Sequence, residues 1–225
     1  MTSTAALDTE TSGLEDGSDV NVVSIYDVRC QNAMSYLRKS GSRDHLIHAM
    51  EACSKFADVV TFNGNFDFKM IANDTDDVKT ARAAATLALT NKDILLNFAL
   101  STGYMSSLES FASGTLGEGK TGDGAHAVAM WQAGEHDRVR EYCENDARIT
   151  GALHTQGMRL GRLTRVTKRG TKQTWALPLS RFRRTCDALN AYRDSPPDVS
   201  WMDEPTNYSD IADWVVPFLQ KTKEE

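Results

Sequence analysis

Two acidic residues one position apart, Asp8 and Glu10, end a short apolar run near the start of the chain. On a β-strand, positions i and i+2 point to the same side, so the two carboxylates would lie together. Like charges side by side are costly unless a cation lies between them, and divalent cations prefer oxygen ligands. The alternative is a strand that ends in a solvated turn at 11–13, and this pair alone leaves both open.

Two later stretches also combine acids with aromatic side chains. The sequence NGNFD places Asp67 after an apolar run at 58–62, where a helix is expected to begin near its carboxylate. In REYCENDARIT, Tyr142 and Asp146 are four residues apart, so they share one face of a predicted helix. Each stretch alone also has an ordinary explanation, namely a capping aspartate in the first and a surface acid beside a half-buried tyrosine in the second.

The motifs lie on a regular succession of predicted elements. Strands are predicted at 5–8, 21–28, 33–37 and 58–62. Helices are predicted at 43–57, 68–73, 76–88, 106–112, 125–133 and 137–157, with Asp137 as an N-cap. A hairpin at 162–167 and 173–177 and a last helix near 211–219 follow. Strands first, then helices interleaved with a strand, predict an α/β sheet with helices packed on it.

Length and composition restrict the class of protein. The chain has 225 residues, a net charge of −6 and a hydrophobic content of 40%, which suits one domain of ordinary size with a real core. No run of eighteen apolar residues and no secretory leader is present, so neither a membrane span nor secretion is expected. The four cysteines are scattered without zinc spacing, which fits reduced thiols in a cytoplasm.

Charge is unevenly distributed along the chain. The segment 155–186 carries nine basic residues and no acid, whereas 187–225 carries nine acids and three bases. A basic segment is compatible with a phosphate backbone, with plain solvation or with docking of the acidic tail. We expect a main domain at 1–160, with a basic hairpin and an acidic C-terminal extension at 161–225 packed on it. A strand-guiding role for the hairpin is a hypothesis.

A glycine-rich stretch, LGEGKTGDG, precedes the third motif. The letters of 114–121 fit the P-loop pattern, but that motif should follow a buried strand, and here a helix precedes it. Nucleotide hydrolysis is therefore not expected. Lys120 remains a candidate contact to a backbone phosphate, with a solvated loop lysine as the alternative.

Taken in chain order, DTETSGL, NGNFD and YCEND resemble the three motifs of the DEDD (DnaQ-like) 3′–5′ exonuclease superfamily. Tyr142, with Glu141 where another branch has histidine, makes the chain similar to the DEDDy branch. SLESFASGTLGEGKTGDG also resembles stand-alone proteins similar to the exonuclease domain of family B DNA polymerases. The resemblance spans roughly residues 4–157 and leaves the hairpin and the tail unmatched.

This resemblance implies a ribonuclease H-like fold, with a mixed five-stranded sheet and helices on both faces. It also implies that four carboxylates hold two Mg²⁺ or Mn²⁺ ions, about 3.5–4 Å apart in such sites. These four carboxylates are Asp8, Glu10, Asp67 and Asp146. Tyr142 would orient the attacking water, and the chain would release 5′-mononucleotides from single-stranded 3′ ends, with DNA slightly favoured over RNA.

Other residues are candidates for substrate contact. Those after the first motif would touch the terminal nucleotide, and those of the second would contact its sugar or base. With the loop lysine, they are Thr11, Ser12, Leu14, Asn63, Phe66 and Lys120. Core packing is the alternative for Phe66, and a simple N-cap is preferred over a supporting role for Asp93. The four tryptophans are expected in the core or in docking contacts.

Two alternatives to a DNA exonuclease stay open. An exoribonuclease of the same branch is the first, because a 2′-hydroxyl can distinguish the two substrates and no motif identifies a residue that contacts it. A nucleic-acid-binding module that has lost turnover is the other, although all four carboxylates and the tyrosine are present. A separate protein partner is possible in either case and is not specified by the sequence.

Overall fold

The computed structural model describes residues 3–119, 124–178 and 181–220. Its strands are β1 (Thr4–Thr11), β2 (Val20–Asp27), β3 (Asn32–Leu37), β4 (Asp58–Thr61), β5 (Lys92–Asp93), β6 (Arg162–Val166) and β7 (Lys172–Ala176). Its α-helices are α1 (Asp44–Cys53), α2 (Gly64–Asp74), α3 (Val78–Thr90), α4 (Ile94–Thr102), α5 (Leu108–Phe111), α6 (Gly124–Gln132), α7 (His136–Leu160), α8 (Thr185–Asp194) and α9 (Val215–Gln220). A π-helical segment, Ala112–Leu116, follows α5 directly.

The main sheet has five strands in the order β3-β2-β1-β4-β5. β1 pairs with β2 in antiparallel fashion and with β4 in parallel fashion, and β4 pairs in parallel with β5. The predicted mixed five-stranded sheet is therefore confirmed. Its fifth strand has only two residues, Lys92 and Asp93, and was not among the strands that the sequence pattern predicts.

Alternation along the inner strands sends side chains to two helical layers. Ala5 and Leu7 of β1 join a core formed with Leu46 of α1, Ile71 of α2 and Ala84 of α3. On the opposite face, α7 packs across the sheet. There Val22 contacts Val139 and Cys143, and Val60 joins Ile149 and Leu153 in a second cluster. Helices thus cover both faces, as predicted, and the apolar stripe expected on α7 is buried.

The residues after α7 extend both cores. β6 and β7 form a separate antiparallel pair, and their Leu163 and Trp175 are buried in the cluster under α7. Leu189, Tyr208 and Val215 join the core on the other face. These contacts support the proposed packing of 161–220 on the main domain, while the boundary near 160 stays a prediction.

Some helix bounds differ from the sequence-based ones. α7 begins at His136 with Glu135 at its N-cap, so Asp137 lies in the first turn and is not the cap. α1 ends at Cys53, before the predicted end, and α8 was not predicted because its sequence is largely polar. Of the helices in the described ranges, none combines the length and the hydrophobicity that crossing a membrane requires.

Candidate active site

Three carboxylates from two elements meet beside the sheet. Asp8 and Glu10 lie on β1, Asp146 lies on α7, and one oxygen from each falls within 4.8 Å of the others. Glu10 and Asp146 are buried, and Asp8 is half-buried. We call these three residues the carboxylate cluster. The prediction that Asp8 and Glu10 share one side of a strand is confirmed by this arrangement.

The cluster is positioned by the packing of α7 on β1. The thiol of Cys143 donates a hydrogen bond to the backbone oxygen of Asp8 at 3.3 Å, which joins the two elements beside the carboxylates. One turn beyond the cluster, Gly151 lets the helix approach the sheet closely. A Cβ atom there would lie 3.1 Å from side-chain atoms of both Tyr26 and Val28. A side chain at this position would therefore require Tyr26 and Val28, or the helix that carries Asp146, to shift.

Tyr142 lies against the carboxylate cluster. Burial raises the pKa of its phenol well above the usual value, and the negative charges of Asp146, Glu10 and Asp8 raise it further. Its hydroxyl also hydrogen-bonds with the side chain of Asp146, one helical turn away. The phenol is therefore neutral at physiological pH and keeps a proton that it can donate.

Asp67 lies in the first turn of α2, as predicted, and connects to β1 through a threonine. Thr9, between the two acids of β1, donates a hydrogen bond from Oγ1 to Asp67 Oδ1 at 2.6 Å. Burial raises the pKa of Asp67 to about 7, although the Thr9 hydrogen bond acts in the opposite direction. Among the described residues, the acids whose oxygens lie within 4.8 Å of one another are those of the carboxylate cluster, and Asp67 is not one of them. Its predicted role as a metal ligand stays a prediction.

The turn before α2 is held by a buried carboxylate from the next strand. Asp93 accepts hydrogen bonds from the backbone N–H groups of Asn63 at 3.0 Å and Asn65 at 3.4 Å. It also accepts one from Leu96 at 3.0 Å and so caps α4. Burial raises the pKa of Asp93, and these backbone donors oppose that shift. The N-cap expected from the sequence is present, and the same side chain fixes the turn that leads to Asp67.

This turn, residues 63–67, is called the Asp67 turn below, and its geometry restricts the residue types it accepts. Asn63 has a left-handed backbone conformation, with φ of 80°. A Cβ atom on Gly64 would lie 2.2 Å from Oγ1 of Thr61, so only glycine fits there. From the C-terminal extension, Trp214 donates a hydrogen bond from its indole nitrogen to Asn65 Oδ1 at 2.9 Å.

The residues after the first motif form a tight loop. Thr11 donates its hydroxyl proton to the backbone oxygen of Gly13 at 2.6 Å, and Ser12 Oγ accepts a hydrogen bond from the N–H of Asp19 at 2.9 Å. Both hydroxyls therefore stabilise the loop itself. Leu14 is 84% exposed beside them, a position that leaves its side chain accessible to a ligand.

The remaining candidates divide between surface, core and the residues outside the described ranges. Asn63 is exposed, whereas Phe66 is partly buried and packs against the core, as its structural alternative predicts. Lys120 lies outside the described residues. Sequence reasoning missed a recess of about 290 Å³ beside Tyr142, whose lining includes His126, Arg138 and Asn145. Asn145 belongs to the YCEND motif, but no motif marks His126 or Arg138, because α6 and α7 bring these residues together only in the fold.

Comparison with protein families identifies the fold. The model of the RNase_H superfamily matches residues 5–156, and the chain therefore belongs to the RNase H superfamily. A search of curated proteins finds no match. The predicted ribonuclease H-like fold is confirmed by this match together with the mixed five-stranded sheet. Membership indicates nuclease-type chemistry on a nucleic acid, while the DEDDy branch stays a prediction.

The donor set of the carboxylate cluster suits the divalent metals that RNase H-like nucleases use. Its three side chains offer only hard oxygen ligands, which Mg²⁺ and Mn²⁺ prefer. Three negative charges at such short range also repel one another, so a bound cation would remove a repulsion that destabilises the folded protein. The residues present therefore fit a metal site.

Proposed function

We propose that the protein is a metal-dependent exonuclease that removes 5′-mononucleotides from single-stranded 3′ ends, with DNA slightly favoured. The observation that carries the proposal is the carboxylate cluster, with the neutral hydroxyl of Tyr142 hydrogen-bonded to Asp146. The order of the motifs along the chain supports the exonuclease class, because an acid pair, a turn aspartate and a helical tyrosine–aspartate pair occur in that sequence.

In this proposal the carboxylate cluster holds the divalent cations. Asp67 contributes the fourth carboxylate to a second ion, from a position fixed by Thr9. When bound, two such ions supply Lewis-acid activation of the attacking water and charge stabilisation at the leaving 3′ oxygen. Without a counter-charge, four acids would repel a phosphate, so the same side chains make substrate binding depend on metal.

Tyr142 acts as a positioning group for water. Its pKa is raised, so the phenol stays protonated and donates to an oxygen atom throughout the physiological pH range. The helical spacing to Asp146 keeps that hydroxyl beside the carboxylates. Because this proton is donated to Asp146, the attacking water donates a hydrogen bond to the Tyr142 oxygen and is thereby oriented toward the phosphate.

The 3′ end of the nucleic acid is proposed to lie between the loop that follows the first motif and the Asp67 turn. Leu14 is exposed on one side and Asn63 on the other, and both are accessible without rearrangement. Phe66 is proposed to contact the substrate through its exposed edge. Lys120 is proposed to contact a backbone phosphate.

The test is degradation of matched 5′-labelled single-stranded DNA and RNA in the presence of Mn²⁺ or Mg²⁺. The wild-type protein is expected to produce a ladder that shortens from the 3′ end, with faster cleavage of DNA. Asp8→Asn should abolish the ladder, because it keeps the side-chain shape and removes one charge of the cluster. Asp137→Asn, an exposed acid on α7, is the matched control and should cleave normally.

The outcome discriminates between the alternatives. A ladder on RNA alone would favour the exoribonuclease, and internal cuts would favour an endonuclease of the same superfamily. If metal raises the melting temperature while neither strand is cleaved, the protein is a binding module and the proposed exonuclease is wrong.

A further inference from the structure

A second feature outside the carboxylate cluster has the chemistry of a ligand site. A cleft of about 450 Å³ opens between the end of α4 and the β6–β7 hairpin. Its lining combines aromatic rings with polar side chains. These are the rings of Phe98, Tyr104 and Trp175 and the side chains of Arg165, Gln173 and Thr174. We call it the aromatic cleft.

Arg165 is fixed across the aromatic cleft. Its guanidinium carbon lies 5.1 Å from the ring centroid of Phe98 and 5.1 Å from that of Tyr104. Gln173 on the neighbouring strand accepts two hydrogen bonds from it, at 3.0 and 2.7 Å. A planar cation packed on two rings is held in one orientation and places a positive charge at the cleft.

Two exposed aromatic rings continue this surface. Tyr104 and Trp201 lie with centroids 4.9 Å apart and an interplanar angle of 34°, and they are 38% and 55% exposed. Trp201 reaches Tyr104 because its loop contacts the end of α4, where a Cβ on Gly103 would lie 2.3 Å from Val199. Trp201 therefore lies outside the core, and its contact with Tyr104 agrees with the docking alternative that the sequence left open. Adjacent exposed aromatic rings are typical of surfaces that bind a partner.

The hairpin beside the cleft supplies positive charge that no described carboxylate neutralises by an ion pair. Its exposed bases are Arg162, Lys168, Arg169 and Lys172. By contrast, the loop that carries Trp201 contains Asp198 and Asp203. Phosphates are therefore favoured on the hairpin side and uncharged ring systems on the Trp201 side. Single-stranded nucleic acid combines these two groups in one repeating unit.

The hairpin is connected to the element that carries the carboxylate cluster. It begins two residues after α7 ends, and the fourteen residues from Asp146 to Leu160 span about 21 Å of that helix. At roughly 3.4 Å per stacked nucleotide, this length corresponds to about six nucleotides. Thr115 donates to the backbone oxygen of Thr164 at 2.8 Å, so the hairpin is also fixed to the π-helical segment.

We propose that the aromatic cleft is a second binding site for single-stranded nucleic acid, several nucleotides upstream of the 3′ end in the carboxylate cluster. Nucleobases stack on the exposed ring pair of Tyr104 and Trp201, and phosphates contact Arg165 and the exposed basic side chains of the hairpin. The inference rests on the proposed exonuclease for the direction of the strand. The binding itself requires no turnover, so it can be tested separately.

The first test measures fluorescence anisotropy of a labelled 12-nucleotide single strand at low salt in EDTA. Tyr104→Ala and Arg165→Ala are each expected to weaken binding about 5- to 100-fold, the range for loss of one base–aromatic stack. Arg29→Ala, an exposed arginine after β2, is the charge-matched control and should stay within twofold of wild type. Because Arg165 also packs on Phe98, Trp201→Ala provides a second variant, in a loop outside the core. Variants within twofold of wild type would overturn the proposal.

The second test separates this inference from the proposed function. With Mn²⁺, the cleft variants should lose kcat/KM on the 12-mer and retain wild-type kcat/KM on a dinucleotide, which is too short to reach the cleft. If no strand is cleaved but the variants still weaken binding, the exonuclease proposal fails and the cleft stands. If the 12-mer is cleaved normally by every variant, the cleft fails and the exonuclease stands. Equal competition by poly-glutamate would assign the surface to acidic peptides and overturn the nucleic-acid assignment.

Discussion

The carboxylate cluster and the Asp67 turn hold their acids by different means. In the cluster, the backbone of β1 is part of a sheet, and Asp146 is carried by a helix whose apolar face is buried against that sheet. In the turn, Asp67 depends on hydrogen bonds that Asp93 accepts from backbone N–H groups. Packing positions one set of side chains, and a buried polar contact positions the other. Substitutions in the two regions should therefore impair stability and activity in different ways.

The largest effect is expected from Asp146→Asn. Loss of a group that merely supports a metal ligand typically costs about 10- to 100-fold, so removal of a carboxylate of the cluster should cost more than about 100-fold in kcat. The increase in melting temperature produced by Mn²⁺ should also shrink, because that shift reports binding to the native state. Kinetics and thermal unfolding with and without EDTA measure the two effects. An unchanged Mn²⁺ shift would exclude Asp146 as a ligand.

Tyr142→Phe separates water positioning from metal binding inside the same region. It removes one hydroxyl and no charge, so kcat should fall by roughly 100-fold, at the lower end of the range for a positioned acid–base group. The Mn²⁺-dependent shift in melting temperature should stay at the wild-type size. If both quantities fall together, the hydroxyl supports the carboxylates and does not act on water.

Asp93→Asn tests the Asp67 turn without touching an acid of the candidate site. The amide group presents an N–H to backbone donors, and an unsatisfied buried group costs about 1–3 kcal/mol in the free energy of unfolding. Activity should fall roughly 10-fold, at the lower limit for an indirect supporting residue. Urea unfolding and kcat give the two values. Asp77→Asn is the control, since Asp77 caps α3 by accepting from Thr80 and should change stability alone.

A smaller effect is expected at the contact from the C-terminal extension. Trp214→Phe keeps an aromatic ring but removes the hydrogen bond to Asn65, which is worth about 0.5–1.5 kcal/mol. KM for a short nucleic-acid strand should rise more than kcat falls, because Asn65 belongs to the Asp67 turn, which is proposed to contact the substrate. Steady-state kinetics on a dinucleotide provide the measurement. An identical loss in Ile211→Ala, a packing change in the same extension, would show that stability alone is responsible.

The smallest effect on activity is expected at His154, which lies on α7 beyond both regions. Burial lowers its pKa from 6.5 to about 4, with the positive charge of Lys92 as a second cause. Between these values the unfolded chain binds a proton that the native protein does not, so stability is lost as the pH falls from 6.5 to 4. The loss is at most about 3 kcal/mol, and stability is complete above pH 6.5. His154→Leu should flatten this part of the pH profile of urea unfolding, with kcat at pH 7.5 unchanged.

The two regions also differ in how far the sequence predicted them. Apolar runs and helical periodicity predicted β1, β4 and α7, and with them the sides on which Asp8, Glu10 and Asp146 lie. Those patterns reflect which side chains are buried, and the burial of β1 and α7 against each other positions the carboxylate cluster. The contact of Asp93 with the Asp67 turn joins residues about thirty positions apart and leaves no periodic signal. From the sequence, Asp93 was expected to cap a helix, and nothing indicated its contact with the Asp67 turn.

Other elements escaped prediction for related reasons. β5 is only two residues long, which is too short for an alternating pattern. α8 buries few side chains, among them Ala188 and Leu189, so its sequence reads as a polar tail. Trp214 and Asn65 are separated by 149 positions, and only the fold brings them together. Periodic patterns along the sequence predicted the elements whose positions the core determines. They did not predict polar contacts between residues that are far apart in the sequence.

The placement of β1 also sets the time scale on which its acids can separate. Over residues 5–7 the strand is paired on both edges, with β2 and with β4, and Asp8 follows directly. Amide hydrogens of such an inner strand exchange with solvent only through global opening, whereas those of turns exchange through small local fluctuations. The backbone before Asp8 is therefore expected among the slowest segments to take up deuterium. When the protein is warmed toward its unfolding midpoint, every molecule that is still folded is therefore expected to keep Asp8 and Glu10 side by side on β1.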